Sequence, residues 1–355
     1  MNLSPAMKKY MLAPPSESGL VYDLTSMAER AVAAKKNLGA QTLLIAVKSF
    51  PDASALQKIL PLIDGADVSN YREYCLVKEY GKNLTLWLTR CPLDDFRKIL
   101  SENPKATIWY NVENPSDLPE LIALKENHQF KLSLRVNTTS LLPENHPLKY
   151  LSRFGLEHRE VENLLKDNGK SIDGIHLHHA SEKNDRALLQ IFLHYFQTLK
   201  KKHSHLSMFN IGGGWNIRDE SLLEEISRSS LDLTLEPGRS FSQDLGFAFT
   251  RISSIKRFSD RVIIEGNLSA RASLQWSHVT GHAFFSVGKE TRLEVKGEVF
   301  YGSQTCDESD LLRLSLDNSY SLAVGDHVVF SGLNGYSAAW NHSFNGIVTP
   351  IHLIE

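Results

Sequence analysis

Short apolar runs alternate with longer amphipathic segments over the first two thirds of the chain. The apolar runs predict eight β-strands, at 43–48, 62–69, 84–88, 107–112, 131–137, 172–178, 207–211 and 232–236. Helical periodicity fills the intervals, near 53–61, 70–81, 93–102, 116–126, 157–168, 185–202 and 218–228, with a further helix at 25–38 before the first strand. The predicted N-caps of three of these helices are Asp52, Ser116 and Asp185.

This alternation predicts a fold class. Parallel strands need crossover connections, and eight strand–helix repeats predict closure into a (β/α)8 barrel, although an open doubly wound sheet remains the alternative. After residue 249 helical periodicity is scarce, and strand-like segments between turn residues predict an antiparallel β domain, at 261–265, 292–300, 327–331 and 346–354. We therefore predict a barrel domain over 20–248 and a β-rich domain formed by 1–19 and 249–355.

Composition narrows the classes of partner. The chain has 39 Lys+Arg against 41 Asp+Glu, a net charge of -2, so it has no general attraction for nucleic acid or an anionic membrane. No stretch approaches the roughly 18 apolar residues of a membrane helix, and the N-terminus does not resemble a signal peptide. Three cysteines without CxxC spacing, Cys75, Cys91 and Cys306, fit a reducing cytoplasm. We expect a cytoplasmic protein that acts on a small molecule.

Polar residues and glycines stand at the ends of five predicted strands. Functional residues of a (β/α)8 barrel lie where strands enter their following loops. These candidates are Lys48, Arg135, His178, Gly212-Gly213-Gly214 and Glu236. Each alone is a weak signal, but the whole set is hard to explain by packing.

Each candidate also has a structural interpretation. Lys48 follows five apolar residues, so its amine could be a desolvated nucleophile or could extend to solvent. The three glycines, with Arg239 in the EPGR segment, could bind phosphate or form a tight turn. Glu236 needs a cationic partner, which could be a protonated ring nitrogen or Arg135.

Three histidines on or directly after the sixth strand, His176, His178 and His179, raise the question of a metal site. His176 and His178 would point the same way from a strand. We find no convincing further ligands at other strand ends, so we predict no metal. A flat cofactor stacked on one imidazole explains the region better, with His176 as a buried structural residue.

Motifs between about residue 20 and residue 350 resemble one known family. In the barrel region they are Tyr22-Asp23, Ala46-Val47-Lys48-Ser49, Asp67-Val68-Ser69, Arg135-Val136-Asn137, Ser152-Arg153-Phe154-Gly155, Gly174-Ile175-His176-Leu177-His178, Gly212–Gly214 and EPGR. In the β region they are Cys306-Asp307-Glu308-Ser309-Asp310, Gly335-Tyr336 and Phe344-Asn345-Gly346. The chain resembles the alanine-racemase-fold (fold type III) decarboxylases of ornithine, arginine, diaminopimelate and carboxynorspermidine, which use pyridoxal 5'-phosphate (PLP).

The resemblance implies roles for the matching residues. Lys48 would bind PLP as a Schiff base, Glu236 would contact the ring nitrogen, and His178 would stack on the ring. Phosphate and other cofactor contacts would come from Arg135, Ser181, Gly212–Gly214, Arg239 and Tyr336. Cys306 would donate a proton from the second subunit of a head-to-tail homodimer. Substrate contacts would come from Glu182, Arg271, Asp307 and Asp310.

Departures from the family pattern leave the substrate open. Thr138 stands where the family has Pro after RVN, and Asn334 replaces an alanine-like residue. Arg153, Ser181-Glu182 and Gly214-Trp215-Asn216 are similar to the carboxynorspermidine branch, whereas EPGRS and Arg271 are similar to the diaminopimelate branch. The prediction is decarboxylation of an amino acid or an amino-acid-bearing conjugate. An amino-acid racemase and an inactive regulatory homologue are the alternatives.

Overall fold

The computed structural model describes residues 4–12, 17–80, 84–179, 186–277, 279–287 and 292–355. These residues form two compact units, one of Ala28–Phe241 and one of Met1–Met27 with Ser242–Glu355. The first strand, β1 (Gly19–Asp23), belongs to the second of these units.

Eight parallel strands close into a barrel in the first unit. They are β2 (Thr42–Ala46), β3 (Gly65–Val68), β4 (Thr85–Leu88), β5 (Thr107–Val112), β6 (Lys131–Val136), β7 (Gly174–Leu177), β8 (Met208–Asn210) and β9 (Leu233–Leu235). The closing pair is β2 with β9, in which Thr42 lies opposite Thr234 and Leu43 opposite Leu235. The predicted barrel is therefore confirmed, and the open sheet is excluded.

Eight of the described helices follow the predicted alternation, and three short helices lie outside it. They are α1 (Pro5–Tyr10), α2 (Leu24–Leu38), α3 (Ala53–Ile59), α4 (Tyr71–Val77), α5 (Leu93–Ser101), α6 (Leu118–Leu124), α7 (His158–Asn168), α8 (Arg186–Lys202), α9 (Glu220–Ser227), α10 (Arg239–Ser242) and α11 (Gly335–Ala339). In the described ranges, no helix is both long and apolar enough to cross a membrane.

The predicted helix caps have three different outcomes. Asp52 is confirmed, because its side chain accepts a hydrogen bond from the Ala55 N–H at 3.0 Å. The prediction that Ser116 is an N-cap is wrong, because a 3-10 turn at Pro115–Asp117 precedes α6 and Asn114 caps that turn. Proline fixes φ at a value that suits the first position of such a turn, which moves the cap upstream. Asp185 lies outside the described residues.

The barrel interior is apolar at one level and polar at the next. The indoles of Trp87 and Trp109 are stacked, with ring centroids 4.6 Å apart, and they pack against Leu44. Next to them the Trp87 Nε1–H donates to Asn111 Oδ1 at 2.8 Å, and the Asn111 amide donates to Thr89 Oγ1 at 2.8 Å. A buried polar layer therefore begins above the tryptophans.

The second unit contains a mostly antiparallel sheet, as predicted for the β region. It consists of β1 with β10 (Gly246–Arg257), β11 (Val262–Gly266), β12 (Gly281–Phe285), β13 (Leu293–Ser303), β14 (Leu311–Leu322), β15 (His327–Leu333) and β16 (Ile351–Ile354). The predicted strand at 346–354 is shorter than expected, because a 3-10 turn at Phe344–Gly346 and an irregular stretch come first. Buried apolar residues including Val21, Phe247 and Val329 form its core.

Candidate active site

Lys48 and Glu236 lie at the same end of the barrel. The Ala46 N–H at the end of β2 donates to the Pro237 carbonyl after β9 at 3.1 Å, which holds these two strand ends together. Glu236 directly follows β9, as predicted. Lys48 lies two residues beyond β2, in a 3-10 turn at Val47–Ser49, and not in the strand itself. Both residues therefore leave neighbouring strands at the carboxyl end, where barrel sites form.

Asp67 on β3 is an ionic partner of Lys48. The Lys48 Nζ lies 3.6 Å from Asp67 Oδ2, and the aspartate side chain is only 1% exposed whereas the lysine side chain is 45% exposed. The pKa of Asp67 is raised to about 6, first by burial and then by the charge of Glu236, against the opposing charge of Lys48. Because β2 lies between β3 and β9, the lysine follows a strand flanked by two acidic strand ends.

Glu236 is buried and hydrogen-bonded on both oxygens. The Asn210 amide donates to Oε1 at 2.5 Å, and Oε2 lies 3.3 Å from His176 Nε2. The alternative prediction, an ion pair between Glu236 and Arg135, is wrong, because Arg135 pairs with Glu113, with its Nη1 2.7 Å from Glu113 Oε1. Strand order explains the difference, since β6 adjoins β5 but is separated from β9 by β7 and β8.

The glycine segment contacts His178. The Gly213 N–H donates to His178 Nδ1 at 3.0 Å, so this imidazole nitrogen is an acceptor and the ring plane is fixed. Gly212 has a φ of +67°, and a Cβ there would lie 2.6 Å from the Leu177 carbonyl oxygen and 2.8 Å from His178 Nδ1. A Cβ on Gly213 would lie 2.5 Å from the Glu236 carbonyl oxygen. These two glycines allow β7, β8 and β9 to end in close contact.

The EPGR segment reaches the glycine segment. The Ser240 hydroxyl, next to Arg239, donates to the carbonyl of Trp215 at 3.1 Å, and Trp215 directly follows Gly214. Arg239 is half-buried at the start of α10. Backbone amides and a guanidinium group, the usual ligands of phosphate, therefore come from adjoining loops.

Arg135 and Glu113 form a buried ion pair beside Phe154. The Arg135 guanidinium lies 4.7 Å from the Phe154 ring centroid, and the side chain is 5% exposed. Arg90 lies 5.5 Å from the same centroid and 3.5 Å from Glu113. This carboxylate therefore pairs with two arginines at the ends of adjoining strands.

Thr138, which stands where the family pattern has proline after RVN, forms a hydrogen bond with a histidine. Thr138 Oγ1 lies 2.8 Å from His179 Nδ1, and both residues are buried. The Tyr150 hydroxyl donates to the His179 carbonyl. Proline has no hydroxyl and could not make the first of these hydrogen bonds. The departure from the family pattern at position 138 therefore adds a buried contact to His179, the residue after His178.

The remaining predicted residues lie in the second unit. Cys306 is exposed, with Sγ 3.2 Å from Asn345 Nδ2. Asp307 is half-buried, and hydrogen bonds from Ser309 lower its pKa. Tyr336 is half-buried at the start of α11.

Asp310 and Arg271 share contacts within the second unit. Asp310 is 2% exposed and accepts hydrogen bonds from Ser269, Ser303 and Thr305 at 2.5–2.9 Å. The Arg271 N–H also donates to Asp310, at 3.1 Å, and its Nε donates to the Ser309 carbonyl at 3.3 Å. Ser181 and Glu182 lie outside the described residues.

Three polar residues of the barrel mouth were missed as site candidates. Asp67, Asn210 and Glu113 all lie at or next to strand ends, as the five candidates do. The same strand-end signal could have found Asp67 and Glu113, whose strands were not among the five considered, whereas Asn210 was passed over on the strand that leads into the glycines. Among the described residues no group of three or more His, Cys, Asp and Glu could hold a metal ion.

Comparison with known proteins gives a fold relationship. No protein-family profile and no curated protein sequence matches the chain. Many solved structures match the chain, and three examples are similar over nearly their whole length. Lysine/ornithine decarboxylase from Vibrio vulnificus, complexed with cadaverine, is 16% identical with a TM-score of 0.80, and 99% of each chain is covered.

The two other structures have slightly lower TM-scores. Carboxynorspermidine decarboxylase from Campylobacter jejuni, complexed with norspermidine, is 20% identical with a TM-score of 0.73, covering 96% of this chain and 94% of that one. An SrLDC variant in complex with PLP is 18% identical with a TM-score of 0.77, covering 99% and 96%. The chain therefore has the fold of the decarboxylases that its motifs resemble.

Proposed function

We propose that this chain is a PLP-dependent decarboxylase of an amino acid or an amino-acid-bearing conjugate. One observation carries the proposal: Lys48 and Glu236 leave adjacent strands at one end of the barrel, with buried Asp67 on the strand at the other side of Lys48. An amine flanked by carboxylates fits a site for a cofactor with an aldehyde and a ring nitrogen.

The chemistry of the donor set fits PLP. Lys48 would hold the aldehyde carbon, Glu236 the ring nitrogen and His178 one face of the ring. The phosphate would be held by the amides of Gly212–Gly214 and by Arg239, and a Cβ on Gly212 or Gly213 would lie within 2.6 Å of a backbone carbonyl oxygen. When bound, PLP accepts the electron pair that carbon dioxide leaves behind.

The protein residues supply position and protons. Asp67 orients the Lys48 amine through the contact at 3.6 Å. Asn210 and His176 hold both oxygens of Glu236, so that the carboxylate keeps one orientation. The Gly213 N–H fixes the ring plane of His178. In this proposal Cys306 of a partner subunit donates the proton that replaces the carboxyl group.

A covalent trap tests the cofactor assignment. We expect protein mixed with PLP to absorb near the boundary of the visible and ultraviolet, and borohydride reduction to attach the cofactor to the Lys48 peptide. Lys48→Ala should abolish the label, whereas Lys35→Ala, a surface lysine paired with Asp64, should retain it. A label on another lysine, or none in the parent protein, would overturn the proposal.

Product analysis separates decarboxylation from racemisation. A panel of amino acids and amino-acid conjugates should release carbon dioxide with the parent protein and not with Lys48→Ala. Loss of optical rotation without carbon dioxide would establish a racemase instead.

Shared active sites in a homodimer can be tested by mixing variants. Inactive Lys48→Ala and inactive Cys306→Ala chains should regain activity when mixed, because random exchange leaves about a quarter of the sites intact. No recovery, with subunit exchange verified, would contradict a contribution of Cys306 from the partner.

A further inference from the structure

A buried chain of hydrogen bonds crosses from β4 to β5 and back inside the barrel. The Trp87 Nε1–H donates to Asn111 Oδ1 at 2.8 Å, and the Asn111 Nδ2–H donates to Thr89 Oγ1 at 2.8 Å. The three residues are at most 5% exposed. Buried polar groups are nearly always hydrogen-bonded, so the direction of this chain and the group at its end can be worked out.

The indole of Trp87 sets the direction of the chain. An indole N–H can only donate, so the atom of Asn111 that faces Trp87 must be the amide oxygen. The Ser133 hydroxyl donates to the same oxygen. The amide nitrogen therefore faces Thr89, and because this nitrogen can only donate, Thr89 Oγ1 is the acceptor. The hydroxyl hydrogen of Thr89 is left for an acceptor further along the chain.

Packing holds the starting point of the chain in place. The ring of Trp87 is stacked on that of Trp109, with centroids 4.6 Å apart and planes inclined by 1°, and both pack against Leu44. Trp87 is fully buried, so its indole has no room to turn. The chain therefore keeps one direction, from Trp87 through Asn111 to Thr89.

The carboxylate of Asp67 is the acceptor at the end of the chain. Asp67 lies opposite Trp87 in the pairing of β3 with β4, and the Thr89 N–H donates to the Val68 carbonyl at 3.1 Å. Asp67 Oδ2 lies 3.6 Å from Lys48 Nζ. Oδ1 is buried, and no well-formed hydrogen bond reaches it in the described part of the chain. A buried carboxylate oxygen requires a donor, and the remaining hydrogen of Thr89 can supply it.

The charges around Asp67 agree with a donor at Thr89. Burial and then the charge of Glu236 raise the pKa of Asp67. Lys48 lowers this pKa, and the Thr89 hydroxyl lowers it as a hydrogen-bond donor. The charged or titratable groups that interact with Asp67 are Glu236, Lys48, His176 and Glu73. A substitution of Thr89 leaves all four in place, so its effect on Asp67 reports the hydroxyl.

We propose that Trp87, Asn111 and Thr89 form a positioning chain whose last donor holds Asp67 as a carboxylate with one oxygen directed to Lys48 Nζ. A donor on Oδ1 favours the charged form and limits rotation of the carboxylate. The consequence for catalysis rests on the proposed function, in which charged Asp67 would keep a proton on the Lys48 nitrogen. The state of Asp67 itself requires no cofactor and is measured separately.

The carboxyl carbon of Asp67 reports its ionisation in the cofactor-free protein. Protein labelled with 13C at the aspartate carboxyl carbon is titrated by NMR, and the Asp67 signal is the one that Asp67→Asn removes. Thr89→Val replaces the hydroxyl by a methyl group of similar size. We expect it to raise the midpoint of this titration by about 0.5–1 pH unit, because the charged form loses a donor. Thr89→Ser keeps the hydroxyl and should have the midpoint of the parent protein.

Two further substitutions separate the positioning chain from general changes in packing. Trp87→Phe keeps a ring beside Trp109 but removes the indole N–H. Asn111 then loses the partner that fixes its orientation, and the midpoint should rise by less than in Thr89→Val. Thr234→Val removes another buried hydroxyl of the barrel, one without a hydrogen bond among the described residues, and should leave the midpoint unchanged. Circular dichroism verifies that each variant is folded.

Four outcomes would contradict the proposal. An unchanged midpoint in Thr89→Val would show that the hydroxyl does not serve Asp67. An equal rise in Thr89→Ser would attribute the change to the shape of the side chain. A rise in Thr234→Val as large as that in Thr89→Val would attribute it to any loss of a buried hydroxyl. An unchanged midpoint in Trp87→Phe would refute the role of the indole in setting the direction.

The protein with PLP then tests the consequence for Lys48. If PLP binds there, the pH at which its absorption changes should fall in Thr89→Val and stay the same in Thr89→Ser, because neutral Asp67 no longer stabilises a proton on the Lys48 nitrogen. An unchanged pH profile in Thr89→Val would refute this link. If no PLP binds but the carboxyl titration shifts as expected, the proposed function fails and the positioning chain stands.

Discussion

The substitution Asp67→Asn tests whether the buried, ionised carboxylate of Asp67 destabilises the folded barrel. The pKa of Asp67 rises from 3.8 to about 6, first because burial removes water and then because Glu236 is nearby. The folded state therefore holds this proton more tightly than the unfolded chain does. Protonated Asp67 therefore contributes to the stability of the folded state. This contribution is complete below the pKa of the unfolded chain and is lost as the pH rises through about 6.

The size of the effect follows from the shift. A difference of about 2 pKa units lowers the free energy of unfolding at pH 8 by about 3 kcal/mol relative to its value at low pH. Roughly half of this loss has already occurred at pH 5. The amide cannot ionise, but it also loses the attraction to Lys48, which is weak because that side chain is 45% exposed. We expect Asp67→Asn to raise the free energy of unfolding by about 1–3 kcal/mol at pH 8 and by about 1.4 kcal/mol less at pH 5.

Urea unfolding of the cofactor-free protein at both pH values provides the measurement. Asp260→Asn replaces an exposed aspartate and should change both values by less than about 0.5 kcal/mol. If Asp67→Asn were destabilising by the same amount at pH 5 and pH 8, the carboxylate would be well stabilised by its surroundings. The reasoning from burial would then be refuted.

Three other substitutions test separate features of the barrel mouth. Glu113→Gln leaves buried Arg135 without its carboxylate, so the free energy of unfolding should fall by about 3–5 kcal/mol in urea; a loss below about 1 kcal/mol would contradict a buried pair. Gly212→Ala should lower the melting temperature more than Gly39→Ala. Both glycines have positive φ, but only at Gly212 does a Cβ meet other atoms within 4 Å, and equal effects would remove the steric argument. Thr138→Val should cost about 1–2 kcal/mol in urea unfolding, because a buried imidazole loses its hydrogen bond, and a neutral result would refute that role.

The barrel was predictable because its strands are buried on both faces. Such strands are short continuous apolar runs, and the helices between them have a different period. The observed strands lie within a few residues of the predicted ones, as in 131–137 for β6 (Lys131–Val136). Boundaries were less exact where the chain leaves a strand through a 3-10 turn, as at Lys48. Hydrophobic period carries no signal for such turns.

The ion-pair partners of the charged residues were less predictable than the places of these residues at the strand ends. The sequence suggested Arg135 as an alternative partner of Glu236, since both are charged residues near strand ends. The choice is made by strand adjacency, which gives Arg135 the glutamate that follows β5. Adjacency follows from the barrel topology, so this error could have been avoided by applying the predicted fold to the predicted charges.

Contacts between distant segments were beyond the sequence. The stacked residues Trp276 and Trp340 are separated by 64 positions, and neither stands in a motif or a periodic run. β1 is a similar case: it precedes the barrel in sequence but pairs with β10 and β16 of the second unit. Such contacts depend on tertiary packing, which local pattern does not encode.

The carboxylates beside β2 are best explained by function and not by stability. Asp67 and Glu236 are both buried, and each disfavours the charge of the other. Packing alone would favour apolar residues at these strand ends, since replacing buried charges by well-packed apolar groups is often stabilising. A chain that keeps two such carboxylates beside a partly exposed lysine violates the packing rule at one place, and such violations are expected at functional sites. A stabilised Asp67→Asn variant with impaired cofactor binding would therefore support both the energetic argument and the proposed site.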